Sequence, residues 1–337
     1  MKTFPAPKVR RAFPMVTIHS FQSYLVHCPT RASATRASVL LTSLLVLFSA
    51  CGDKKPETTT KTRKGPLVVY TVNEPLRYFA ERLGGDAVRV VFPMKVAGDP
   101  AFWHPDADTV MAYQKADLIL RNGADYAKWI GKVSLPESKI VDTSAAFADR
   151  IITIKNAVTH QHGPNGKHSH SGHVGTTWLD PLQARLQAKA IEEALQERLP
   201  DQSAAIEKRF ESLSQELEDL DKKIQKIVDR KPGLPLIASH PVYQYLQRRY
   251  GLSLQTVHWE PSEMPPAEEW TKFEAMLAKH PAKYMIWESE PLPAVRQKLM
   301  AMGVQALVYD PCGSTPKDGD FMSRMRKNVD SLAQAWR

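Results

Sequence analysis

From residue 67 onward, short unbroken apolar runs alternate with stretches whose apolar residues recur every three or four positions. Residues 67–72 form one such run and predict a buried strand. Asn73 can cap the helix behind it, Pro75 suits the first turn, and Leu76, Phe79, Ala80 and Leu83 keep the helical period until Gly84 and Gly85 stop it. Residues 87–94 predict a second strand through Val88, Val90, Val91 and Phe92, and a turn-rich loop follows over 97–105. A helix is predicted over 106–115 and a strand over 117–121, with weaker strand signals at 140–141 and 151–154. The rhythm resumes after residue 233. Strands are predicted at 234–238, 252–259, 283–287 and 304–309, helices at 242–250, 266–279 and 294–302, and a closing helix at 321–336. Strand–helix alternation of this kind predicts parallel α/β sheets with helices on both faces.

The stretch between the two halves is helical. Residues 180–199 are amphipathic, and beyond Pro200 apolar residues stand at Ile206, Phe210, Leu213, Leu217, Leu220, Ile224 and Ile227. Spacings of four and three in strict turn make a heptad seam. A helix over 201–229 would be about 40 Å long at the usual rise per residue. Such a seam serves either a coiled-coil dimer or one rod lying across both halves; the rod is the preferred reading, with the chain a monomer. The expected organisation is an N-terminal lobe over 67–178, a helical connector over 179–232 and a C-terminal lobe over 233–337.

The front of the chain has a different character. An apolar run of twelve residues, 39–50, follows Arg36 and ends in Ser49-Ala50 before Cys51. It is too short to span a bilayer, which takes about 20 residues, but suits a signal peptide. Small residues before a cysteine resemble a bacterial lipobox, which implies cleavage ahead of Cys51 and a lipid on its sulfur. Residues 1–50 thus read as leader and 51–66 as a polar, disordered tether. Six Lys and Arg and no acidic residue fall within 1–50, so of the net charge of +9 only +3 remains beyond it. The basic balance belongs to the leader, and nothing supports nucleic-acid binding, which needs a clustered basic footprint. Of three cysteines, Cys28 is in the leader, Cys51 carries the expected lipid and Cys312 is alone, so no disulfide is expected within the mature chain.

Five histidines, His160, His162, His168, His170 and His173, stand within fourteen residues in a polar loop. Neutral imidazole is a common ligand for zinc and for other late transition metals. The loop has almost nothing to bury, so it reads as an auxiliary metal-capturing arm, or else as a solvated loop.

Several segments, taken in order, resemble one known family. They are Tyr70-Thr71-Val72-Asn73-Glu74-Pro75-Leu76, Gly98-Asp99-Pro100, Ala116-Asp117-Leu118-Ile119-Leu120, Asn122-Gly123, the His-rich loop running into Trp178-Leu179-Asp180-Pro181, then Ser239-His240, Tyr250-Gly251 and Tyr309-Asp310-Pro311. Together with the lipobox, they resemble the zinc/manganese solute-binding lipoproteins of ABC metal-uptake transporters. The resemblance covers residues 67–337. It implies two (β/α)4-type lobes with parallel sheets, joined by one long backbone helix. It also implies a divalent metal, Zn2+ or else Mn2+, in the cleft between them. The partners would be a membrane permease and its separate ATPase subunit, and the location the periplasm or cell envelope, held by a lipid anchor. No Gly-x-x-x-x-Gly-Lys-Ser/Thr loop occurs in the chain itself.

The resemblance implies four metal ligands from four loops, and here the match is partial. The third position falls on His240 and the fourth on Asp310. Both follow predicted strands, where open α/β sheets place their ligands. The first two positions are Ala101 and Thr176, neither of which replaces an imidazole. His104, three residues beyond Ala101, is the nearest substitute. Glu260 and Glu288, after predicted strands, are candidate carboxylates. The expected set is His104, His240, Asp310 and one glutamate, Glu288. Two imidazoles with carboxylates suit zinc, whereas manganese favours more oxygens. Trp103, Trp178, Trp259 and Trp287, also near strand ends, leave room for an organic ligand or a metal chelate. The alternatives to a transport receptor are a metal-dependent envelope hydrolase, against which the chain lacks a His-Glu-x-x-His pair, and a divergent relative holding metal only on its His-rich loop.

Overall fold

The computed structural model describes residues 65–94, 98–154 and 172–337, with the backbone of two short strands at 159–161 and 167–169. The leader, residues 51–64 of the tether with Cys51, His162 and His170 fall outside the described residues, as do the side chains of His160 and His168.

The N-terminal sheet contains β1 (Leu67–Thr71), β2 (Val88–Val91), β3 (Leu118–Arg121) and β4 (Ile140–Asp142). The order is β2-β1-β3-β4, all parallel. Helices α1 (Glu74–Gly84) and α2 (Ala107–Lys115) make two of the crossovers. Asn73 caps α1 by accepting from Leu76 N–H, and Asp106 caps α2 by accepting from Thr109 N–H. The weak apolar run at 151–154 does not join this sheet. Its strand β5 (Thr153–Ile154) pairs antiparallel with β8 (Gly172–His173), and β6 (Thr159–Gln161) pairs antiparallel with β7 (Lys167–Ser169). Two-residue β5 has too little apolar surface to enter a sheet covered on both faces.

The C-terminal sheet repeats the arrangement with β9 (Pro235–Ala238), β10 (Ser253–Thr256), β11 (Tyr284–Trp287) and β12 (Gln305–Val308), in the parallel order β10-β9-β11-β12. Its helices are α5 (Gln244–Tyr250), α6 (Ala267–Lys279), α7 (Pro293–Ala301) and α8 (Phe321–Leu332). Both faces of this sheet are buried, and the two-residue period sorts the side chains between them. Leu236, Ala238, Ile286 and Leu307 face the main core, while Ile237, Met285, Trp287 and Ala306 face a second core under α6 and α7.

Between the sheets, α3 (Pro181–Arg198) and α4 (Ser203–Val228) form an antiparallel hairpin. The contacts show it: Arg185 bonds Ser214, Lys189 stacks on Phe210, and Gln196 reaches Ser203. Only α4 is the long rod, about 39 Å at 1.5 Å per residue. Its seam is consumed inside the chain. Ile206, Leu213, Leu217, Leu220, Ile224 and Ile227 are buried in the main core, and Phe210 packs against it. No seam is left over for the coiled-coil alternative. Arg209 and Glu216 join α4 to α1 through Leu83 O and Arg82, and Asp221 joins it to α5 through Arg249 and Tyr250. Among the described residues no helix is long and apolar enough to cross a membrane.

Candidate metal centre

The strand orders create a switch point between β1 and β3 in one sheet and between β9 and β11 in the other, and crevices open at the carboxyl ends there. His240 follows β9 and Glu288 follows β11, so the two flank the C-terminal switch point. The chain leaving β9 is fixed by Ser239 N–H donating to Ile286 O and Trp259 N–H donating to Ser239 O, both at 2.8 Å. That places His240 next to Glu260 as well as Glu288. His240 Nδ1 is 3.8 Å from Glu260 Oε1 and 3.9 Å from Glu288 Oε1. Its ring also meets His258 edge-on at 5.8 Å. Two donors each about 2.0–2.2 Å from one ion stand at most about 4.4 Å apart, so each pair is close enough to share a cation. Among the described residues no three of His, Cys, Asp or Glu are already gathered around a single ion position.

Electrostatics marks the same spot. Glu288 Oε1 is sealed from solvent without a hydrogen bond, although 32 % of the side chain remains exposed. Burial first, and then the negative fields of Asp99, Glu260 and Asp310, raise its carboxyl from the ordinary 4.5 to about 8. Asp99 belongs to the N-terminal lobe, so carboxylates from both lobes act on one group. A carboxyl whose pKa is raised on folding adds most stability at low pH and loses that advantage as pH climbs through the folded value. The metal-free protein should therefore lose stability between about pH 4.5 and about pH 8. Glu288→Gln should flatten that slope and make the metal-free protein more stable at pH 8.5 than the parent, within about the last unit of the titration. Thermal melts of both proteins across this range check it; parallel slopes would remove Glu288 as the source.

Asp310 follows β12. Its Oδ1 accepts from Cys312 N–H at 2.7 Å and its Oδ2 pairs with Arg324. The loop after it is held against the N-terminal lobe by three bonds: Trp178 Nε1 donates to Pro311 O at 2.7 Å, Glu74 N–H donates to Gly313 O at 3.0 Å and Ser314 Oγ donates to Gly98 O at 2.9 Å. A Cβ on Gly313 would stand 2.9 Å from Tyr126 Oη, so the close approach of the lobes requires glycine there. Cys312 is buried, and burial pushes its thiol far above the usual range, so it stays a thiol rather than a thiolate ligand.

The N-terminal side of the cleft differs from the expected set. Thr176 Oγ1 donates to Val242 O at 2.6 Å, and Ala101 packs against the core. With Asp99, Asp125, His173 and Pro241 they line a cavity of about 90 Å3 between the lobes. His104 is exposed, beyond a turn in which Phe102 N–H donates to Asp99 O and Trp103 N–H to Pro100 O. No described contact joins His104 to His240, Glu288 or Asp310. His173 is the member of the His-rich loop whose side chain is described. Its Nδ1 is 3.0 Å from Thr153 Oγ1 and its Nε2 3.9 Å from Asp125 Oδ2. The tryptophans are packing rather than a ligand platform: Trp259 and Trp287 fill the second core with Trp270 and Phe273, and Trp103 leans on Trp129. Asp99 and Arg324 were not legible as site residues. The neighbouring Pro100 was the only signal for the first, and nothing in local spacing points from Asp310 to Arg324.

Comparison with known proteins agrees on the fold and gives the family. The family model of the zinc-uptake complex component A periplasmic, ZnuA, matches residues 69–335. The manganese ABC transporter substrate-binding lipoprotein ScaA of Streptococcus gordonii is 23 % identical over 316 residues, covering 89 % of this chain and 97 % of the relative. The high-affinity zinc uptake system protein ZnuA of Brucella abortus is 26 % identical over 156 residues, covering 45 % of this chain and 46 % of the relative. Among solved structures, the Zn(II)-bound ZnuA-like domain of Streptococcus pneumoniae AdcA superimposes with a TM-score of 0.69 at 20 % identity, covering 81 % of this chain and 99 % of that one. At that identity the likeness bears on fold alone.

Proposed function

The chain belongs to the family of the zinc-uptake complex component A periplasmic, and from that premise we propose that it captures zinc between its lobes at His240, Glu288 and Asp310, assisted by Glu260 and Asp99. At the coarser level it is a metal-binding, extracytoplasmic substrate-binding protein of an ABC transporter and not an enzyme, which sets aside the envelope-hydrolase alternative. Its partners are therefore a permease and an ATPase. A lipid on Cys51 would hold it near that permease, and the His-rich loop would raise the local ion concentration by weak multivalent capture.

One observation carries the proposal: His240, Glu260 and Glu288 are grouped at the carboxyl ends of the C-terminal sheet, where the buried Glu288 Oε1 accepts no hydrogen bond among the described residues. A divalent ion would cancel the burial cost of Glu288 and the repulsion around it. The donor set is carboxylate-rich with a single imidazole, because His104 stands outside it. Zinc still ranks above manganese at a mixed nitrogen and oxygen site, but the margin is narrower than with two imidazoles. Deleting residues 160–173 and titrating with zinc, then manganese, tests this reading. One tight zinc per chain should remain. None would remain if the loop were the sole metal site.

A further inference from the structure

Asp310 already holds a cation that belongs to the protein. Its Oδ2 is ion-paired with Arg324 in the first turn of α8, and its Oδ1 is taken by Cys312 N–H. Arg324 is not a wandering surface side chain. It is 14 % exposed, and its Nη1 donates to Ser314 O at 2.8 Å. The turn that carries it is locked by a reciprocal cap between Asp320 and Ser323. One turn on, Asn328 grips the Asp310 backbone from both sides, accepting from its N–H at 2.9 Å and donating to its C=O at 2.6 Å. Helix α8 thus forms a cradle around Asp310, with a guanidinium built into it.

The pair also stands at the cargo site: Asp310 leaves β12 beside the end of β11 that carries Glu288, and the loop after it is bonded to the N-terminal lobe at Trp178 and Glu74. A divalent ion bound to the same carboxylate would sit beside the guanidinium, and like charges at such range repel strongly where water is scarce. We propose that Arg324 is the resident counter-cation of Asp310: it competes with the cargo ion, weakens its binding, and reclaims the carboxylate as the ion leaves for the permease. The inference rests on the reading that Asp310 belongs to the interlobe site. It makes Arg324 a positioning residue that sets affinity and release rate, without itself being a ligand.

The test compares the parent chain with Arg324→Gln and Arg324→Lys, using Zn2+ and Mn2+ salts as probes. In Arg324→Gln, zinc affinity should rise about tenfold, the scale on which groups around a metal's ligands act. Release into a chelator should slow by a similar factor. Arg324→Lys, which keeps the charge, should stay near the parent. Adding Asp310→Asn to Arg324→Gln should cancel the gain. A folded Arg324→Gln with unchanged or weaker zinc binding would overturn the inference. A zinc-loaded crystal structure of the parent chain gives an answer that needs no variant: the Arg324–Asp310 pair intact beside a bound ion sinks the proposal. His240→Ala separates the two levels. Loss of binding there, with Arg324→Gln inert, removes only the counter-cation. Undiminished binding there removes the interlobe site and the counter-cation with it.

Discussion

His240→Ala should abolish tight zinc binding in the cleft, with an affinity loss of about 100-fold or more, since even groups that only support a metal's ligands cost 10–100-fold when removed. The reason is chemical. His240 sets its Nδ1 within 4 Å of both Glu260 and Glu288, and a borderline ion such as zinc gains more from nitrogen than from a further carboxylate. Calorimetric titration at about pH 7.5, where a histidine is mostly neutral, is the measurement. It should use chain lacking residues 160–173, so that loop histidines add no heat. His104→Ala in the same background should bind within about threefold of the parent, because loss of an exposed side chain outside the donor group changes no bond to the ion. Full binding in the His240 variant would mean that the cleft ion sits elsewhere.

Leu217→Ala should be strongly destabilising to the helical rod. Leu217 is 1 % exposed at the middle of the α4 seam, and truncating a buried leucine costs about 2–5 kcal/mol through lost transfer energy and the cavity left behind. For a chain of this size that amounts to a fall in Tm of roughly 4–9 °C. One core runs beneath both sheets and along α4, so the melt should stay a single transition shifted downward. Zinc affinity at 25 °C should barely move, because the donors hang from strand ends away from the seam. Light scattering should give one monomer mass for both proteins; a concentration-dependent dimer that weakens in the variant would revive the coiled-coil reading of the heptads.

Most of the architecture was legible from local pattern. Apolar runs marked every strand of the two parallel sheets within a few residues, and Asn73, Gly84, Gly85 and Gly251 marked helix ends where the structure has them. These signals are readable because strand and helix periods are set by contacts between residues two to four apart. The heptads were legible too, but not their partner. A seam states that something apolar must cover it, and only the fold reveals that the cover is α1, α3, α5 and α8 of the same chain. The run at 151–154 was ambiguous for the opposite reason, since so few residues can pair with whichever edge comes within reach.

The site divides along the same line. By itself the sequence determined that His240, Glu260, Glu288 and Asp310 follow strands, and parallel α/β topology sends all such residues to one end of a sheet. Only the tertiary structure decided which of them meet. It set His240 between two glutamates, turned His104 outward, brought the field of Asp99 to Glu288 from the other lobe, and set Arg324 against Asp310. Those encounters join residues far apart along the chain, and no periodicity records them. They follow from the register of eight strands and the angle at which α3, α4 and α8 bind the lobes together, and that geometry is fixed by the packing of the whole core.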